Sequence, residues 1–169
     1  MINTKRLTIV PAEIADIDRI MAIENHVDNR KFVWQGSYEQ HKAEIADPAY
    51  LLLKFILKDT ADFIGIALIH LDFKSHVLEL RRLAVTEKGQ GYGREVLTAL
   101  IDHAFKEMDI NRFWLDVYTD NTIGIHLYES LGFVKEGILR QNYKAERGYL
   151  DQIVYSILRT EYIQKSYGM

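Results

Sequence analysis

Apolar and polar residues change rhythm along this chain in a way that separates strands from helices. Residues 6–10, "RLTIV", read as a first strand, while Ile14, Ile17, Ile20, Met21 and Ile23 within 13–25 fall close to helical spacing. Ser37 followed three residues later by Gln40 fits a capping box that opens a second short helix, and Pro48 ends it. Two β-rich runs come next, "YLLLKFILK" at 50–58 and "DFIGIALIHLDF" at 62–73, joined by "DTA" as a hairpin. In "HVLELRRLAV" at 76–85, Leu78 and Leu80 share one parity and Leu83 and Val85 take the other. Side chains alternate with period two along a strand, so an apolar face that switches parity predicts a β-bulge near Arg81 and Arg82. A strand buried on both faces is the alternative reading.

Leu97, Leu100, Ile101, Ala104, Phe105 and Met108 then repeat at i, i+3, i+4 and predict an amphipathic helix of about four turns. "RFWLDVY" at 112–118 reads as a strand, and 121–131 as a helix stopped by Gly132. "FVKEGILRQNY" and "YLDQIVYSIL" form a final hairpin around "KAERG". The predicted order is β-α-α-β-β-β-α-β-α-β-β, a mixed α/β class with crossover helices after 76–85 and after 112–118. No Ser/Gly-rich linker and no internal repeat interrupts it, so one domain over residues 1–169 is expected.

Composition changes this picture mainly by exclusion. Cysteine is absent, which removes disulfides, thiolate zinc sites and a cysteine nucleophile. The six histidines show no H-x-x-x-H spacing, so no metal is expected. A net charge of −3 offers no bulk attraction to nucleic acid or to an anionic membrane. No apolar run approaches the ~20 residues of a bilayer span, and "MINTKRLTIV" carries no secretory h-region, which makes a cytoplasmic protein the expectation.

The candidate chemistry starts at "LAVTEKGQGYGREVL", residues 83–97. A strand that runs into a glycine-rich turn and opens a helix gathers backbone N–H groups at the positive end of the helix dipole. Glycine lets that backbone approach an anion closely. Three alternating glycines flanked by Lys88 and Arg94 exceed what a tight turn alone requires, so a pyrophosphate is the expected guest. The Walker pattern is absent, and the dinucleotide fingerprint fails because Arg94 stands three residues after Gly91.

What fits is K-G-x-G-x-G, Lys88-Gly89-Gln90-Gly91-Tyr92-Gly93, which resembles the acetyl-CoA loop of the Gcn5-related N-acetyltransferases, the GNAT superfamily. Lysine stands where that family more often has Arg or Gln. "NTIGIHLYESLGF", residues 121–133, is similar to the family's N-x-x-A-x-x-L-Y-E-x-x-G-F segment, with Gly124 in place of the usual Ala. The ending from "GFVKEG" to "IVYSIL" and the opening "TKRLTIVP" resemble the branch of ribosomal-protein N-terminal and spermidine acetyltransferases. Residues 24–60 match only in outline.

The resemblance implies a GNAT fold: a mixed central sheet flanked by helices, with 76–85 bulged and splayed from its neighbour. It implies acetyl transfer from acetyl-CoA to a primary amine in a ternary complex, the amine being a protein N-terminus, a polyamine or a small amine. Leu83, Ala84 and Val85 would pair with the pantetheine arm through their backbone. Lys88, Gly89, Gln90, Gly91, Tyr92, Gly93 and Arg94 would hold the pyrophosphate, and Asn121 would bond the arm or cap its helix. Tyr128 takes the general-acid position, its ordinary pKa of about 10 keeping it protonated near neutrality. Glu79 in the bulged strand is the candidate base, directly or through water. Trp34, Tyr38 and Tyr143 are candidates for the acceptor pocket. Homodimers are common in the family that the chain resembles. The rival reading is a non-catalytic acyl-CoA-binding module, which would keep the loop and lose the acid.

Overall fold

The protein is described here as a computed structural model covering residues 1–167. The chain forms eight strands, β1 (Ile2–Asn3), β2 (Leu7–Pro11), β3 (Tyr50–Leu57), β4 (Phe63–Asp72), β5 (Val77–Val85), β6 (Arg112–Tyr118), β7 (Val134–Ala145) and β8 (Gly148–Leu158). The helices are α1 (Ile17–Asn25), α2 (Tyr38–Ala46), α3 (Tyr92–Glu107), α4 (Thr122–Leu131) and α5 (Arg159–Tyr167). The strands form one mixed sheet in the order β1-β2-β3-β4-β5-β6-β8-β7. Every pairing is antiparallel except β5 with β6, the two strands that α3 connects as a crossover.

The parity switch in β5 has the cause read from the sequence. Leu68 pairs with Arg82 and Ile69 with Leu80, which leaves Arg81 as the extra residue of a bulge. The bulge returns Leu83 and Val85 to the face already held by Leu78 and Leu80, so all four pack on the same core. That core lies between the sheet and α3, which contributes Val96, Leu97, Leu100, Ile101, Ala104 and Phe105. On the opposite face Ile20 and Ile23 of α1 pack against Leu52, Ile66, Leu68 and Ala84.

The expected order of elements is present, with two additions. β1 has only two residues and carries no periodicity. The nine residues of α5, "RTEYIQKSY", show no apolar stripe; Tyr162 anchors the helix against Phe105 with ring centroids 5.0 Å apart. The second helix opens as predicted, with Gln40 N–H donating to Ser37 Oγ and the Gln40 side chain accepting from Ser37 N–H. Among the described residues no helix is long and apolar enough to cross a membrane.

Candidate active site

β5 and β6 pair from Val77 with Arg112 as far as Leu80 with Leu115, and there the ladder stops. Beyond the bulge at Arg81 the two strands part, and the gap opens into a cleft of about 1370 Å³. Thr86 donates its N–H to the Ile64 carbonyl near the start of β4. Alternation along the strand then turns the N–H groups of Leu83 and Val85 the other way, to the edge that β6 has left. Leu83 and Val85 line the cleft. Ala84 does not: its side chain is buried on the α1 face and alternation directs its N–H at β4, away from the cleft.

The loop expected to hold an anion closes the same end of the cleft, with Lys88, Gly89, Gly91, Tyr92, Gly93 and Arg94 in its wall. Gly89 and Gly91 have φ of 77° and 79°, a left-handed conformation that side chains other than glycine seldom adopt. Gly91 caps α3, and the helical ladder begins with Glu95 N–H donating to Gly91 O at 3.1 Å. The N–H groups of Tyr92, Gly93 and Arg94 precede that ladder and are free for a ligand. Gln90 is exposed beside the cleft and outside its lining. Lys88 keeps its place in the cleft wall, while its ammonium donates to Asn29 Oδ1 and burial lowers its pKa.

α4 supplies Asn121 and Tyr128. Asn121 Oδ1 accepts from Gly124 N–H at 3.0 Å, so the asparagine caps its helix. A Cβ at residue 124 would stand 2.9 Å from Asn121 Nδ2, so an alanine there would require the capping amide to shift. Gly132, at φ 97°, ends α4, and Phe133 N–H donates to Tyr128 O. The Tyr128 ring packs edge-on against Phe133, and its hydroxyl reaches the cleft without a hydrogen-bond partner among the described residues. Burial, with the charge of Asp116 added, pushes its pKa up to about 12.

Asp116 is the residue that sequence reasoning missed. Phe113, Leu115 and Val117 face the α3 core, so alternation puts Trp114, Asp116 and Tyr118 on the other face, in the cleft beside Glu79. Asp116 Oδ1 accepts from Gln152 Nε2 at 2.6 Å, and Gln152 Oε1 accepts from Asn142 Nδ2 at 2.7 Å. Burial first, and then the Glu79 charge, raise its pKa to about 6 against the opposing pull of Arg81. The signal was an aspartate within "RFWLDVY", an acidic side chain in a strand flanked by buried apolar residues. Glu79 lies 3.6 Å from His70 Nδ1 and 3.9 Å from the Arg81 guanidinium.

The far wall belongs to the segment between α1 and α2. Trp34 lies over the Arg82 guanidinium at 4.3 Å, and Arg82 is held by Glu24 and Glu44. Tyr143 lines the cleft beside Tyr118, with ring centroids 5.7 Å apart. Tyr38 is 41% exposed and takes no part in the lining, because it begins α2 on its outer face. Arg30 reaches Glu146 in the β7–β8 turn at 3.4 Å, while Lys31 and Arg147 both pair with Asp120, so charged side chains bridge the α1–α2 segment to the β7–β8 turn and to the start of α4.

Comparison with known proteins places this geometry. The profile of the Acetyltransferase (GNAT) family matches residues 16–133. The spermidine N(1)-acetyltransferase of Vibrio cholerae is 25% identical over 171 residues, covering 95% of this chain and 98% of that protein. The N-acetyltransferase p20 of Bacillus licheniformis is 39% identical over 74 residues, and there the match spans 44% of this chain and 42% of the relative. Among solved structures, the Vibrio cholerae spermidine N-acetyltransferase in complex with CoA and spermine superposes with a TM-score of 0.82 at 22% identity, over 94% of this chain and 98% of that one.

Proposed function

Because the chain belongs to the GNAT family of acetyltransferases, we propose that it moves an acetyl group from acetyl-CoA to a primary amine, most favourably a slender cationic polyamine. The observation that carries the reading is the parting of β5 from β6. One gap has a free strand edge and anion loop at one end and two carboxylates at the other. It also lets Tyr128 from the α3 face and Asp116 from the α1 face act on the same space.

The residues present suit such a donor. The open N–H groups of Leu83 and Val85 match the amide carbonyls of an extended pantetheine arm, and those of Tyr92, Gly93 and Arg94 match a pyrophosphate. At the acceptor end, Glu79 and Asp116 attract an ammonium, and the bridge from the α1–α2 segment to the β7–β8 turn favours a narrow chain. The named activity of the Vibrio cholerae relative agrees with that choice.

Asp116 is the better proton acceptor. With a pKa of about 6 it is ionised at neutral pH yet more basic than an ordinary aspartate, and Gln152 fixes its orientation. The bound ammonium first loses one proton to solvent; Asp116 takes the second as the neutral amine nitrogen bonds to the acetyl carbonyl carbon, and collapse then breaks the C–S bond and leaves a thiolate. Tyr128 stays protonated throughout the working pH range and donates a hydrogen bond to the departing sulfur. Full proton transfer from a phenol near 12 to a thiolate of pKa about 8.5 would be uphill by roughly 5 kcal/mol, so the hydroxyl stabilises the charge and releases it as the thiolate meets solvent.

Thermal shift with acetyl-CoA, CoA, ATP and NAD tests the donor. Stabilisation by acetyl-CoA and CoA is the expected result. Stabilisation by ATP or NAD alone would overturn the reading.

A further inference from the structure

The opening Thr4-Lys5-Arg6-Leu7 lies outside the cleft, yet it reaches the anion loop. Thr4 Oγ1 and the Arg6 N–H both donate to Glu95 Oε1, at 2.6 and 2.7 Å. Arg6 Nε donates to Glu95 Oε2 at 2.7 Å, and Arg6 Nη1 donates to the Gln90 carbonyl at 3.0 Å, across 84 residues of sequence. The guanidinium also lies 4.4 Å from the centre of the Tyr92 ring. One side chain thus holds a loop carbonyl, a loop aromatic ring and the first-turn carboxylate of α3.

We propose that Arg6 is a positioning residue for the donor: it fixes the Gln90–Gly91 peptide so that the Gly91 N–H is turned into the loop, toward the pyrophosphate. A trans peptide points its C=O and N–H in opposite directions, so a carbonyl held outward by Arg6 sets the N–H inward. Gly91 forms one end of this unit and Gly89 precedes Gln90 at the other, and glycine offers little resistance to a peptide flip. Glu95 adds a second reason. Its carboxylate stands at the helix end where an anion would arrive, and pairing with Arg6 removes the repulsion. The Thr4 and Arg6 contacts also lower the Glu95 pKa against the upward pull of burial, which keeps the pair ionised.

This role rests on acetyl-CoA being the donor, and the test separates the two. Steady-state kinetics of Arg6→Ala should show an acetyl-CoA KM raised about tenfold, with kcat within about twofold. Acetyl-pantetheine carries the same thioester without the pyrophosphate, so its kcat/KM should not change. Arg6→Lys keeps the charge opposite Glu95 but cannot also span to Gln90, and should show the same donor-selective defect in smaller measure. An equal loss with both donors, or an Arg6→Lys enzyme like wild type, overturns the role. A wild-type protein that does not turn over acetyl-CoA overturns the acetyltransferase reading itself.

Discussion

Two carboxylates, Glu79 and Asp116, share the proposed acceptor end, and their difference favours Asp116 as the proton acceptor of the proposed reaction. Asp116 is half-buried, held by Gln152, and raised to about pKa 6, while Glu79 contributes charge to that shift. The profile of kcat/KM against pH should therefore have its lower limb near 6. Glu79→Gln should keep the limb and move it to lower pH, because removing a neighbouring negative charge makes Asp116 easier to ionise. Asp116→Asn should abolish the limb along with most of the activity. A limb that persists in Asp116→Asn and vanishes in Glu79→Gln would reverse the assignment. The same shift has a stability sign: a carboxyl with a raised folded pKa favours the fold when protonated. Asp116→Asn should therefore raise stability at pH 7 to 8 by up to roughly 3 kcal/mol and leave it unchanged near pH 4, where the native carboxyl is already protonated. Residues at this scale were only partly legible. Tyr128 and the glycines stand in a spaced motif, whereas Asp116 is one letter in a strand whose importance arises from burial and from Glu79 on a neighbouring strand.

At the level of elements, the segment carrying α1 and α2 is fastened by buried charge. Glu24 accepts from Gly36 N–H at 2.8 Å and lies 3.0 Å from His41 Nε2, whose other nitrogen meets Glu44 at 2.9 Å. Arg82 of β5 pairs with both glutamates, so the network ties both helices to the strand just beyond the bulge and holds Trp34 in the cleft wall. Burial pulls the His41 pKa down, but the bonds to Glu24 and Glu44 outweigh it and raise it to about 9. A raised histidine stabilises the fold fully below its unfolded pKa of about 6.5 and loses that contribution as pH rises through 9. Urea denaturation should accordingly lose roughly 3 kcal/mol of stability across that window, and His41→Gln should be less stable at pH 6 with a flattened slope. A His41→Gln protein with the wild-type slope would show that another group titrates there. Elements were more legible than this clamp: the parity switch gave the bulge and periodicity gave α3. The network joins positions 24, 41, 44 and 82, which no local pattern relates.

For the whole molecule, the sheet order sets one parted strand pair, β5 and β6, at the middle of the sheet, where the proposed donor and acceptor ends share a single gap. Residues from the segment between α1 and α2, the end of β5, the loop before α3, the start of α4 and the last hairpin converge there, although they are spread from Val27 to Gln152. Their convergence was accessible from sequence only through resemblance, because composition and periodicity fix elements without fixing which ends meet. The bridge between the α1–α2 segment and the β7–β8 turn lay beyond any sequence signal, since it is built from surface charges such as Arg30 and Glu146. The most direct test of the account is acceptor-dependent release of free thiol from acetyl-CoA, measured with spermidine, spermine and short peptides bearing free N-termini. The account predicts thiol release that requires the amine, yields one acetylated amine per thiol, and is fastest with a polyamine. Thiol release indifferent to every amine, or none at all despite tight acetyl-CoA binding, would contradict it and leave the chain a binding module.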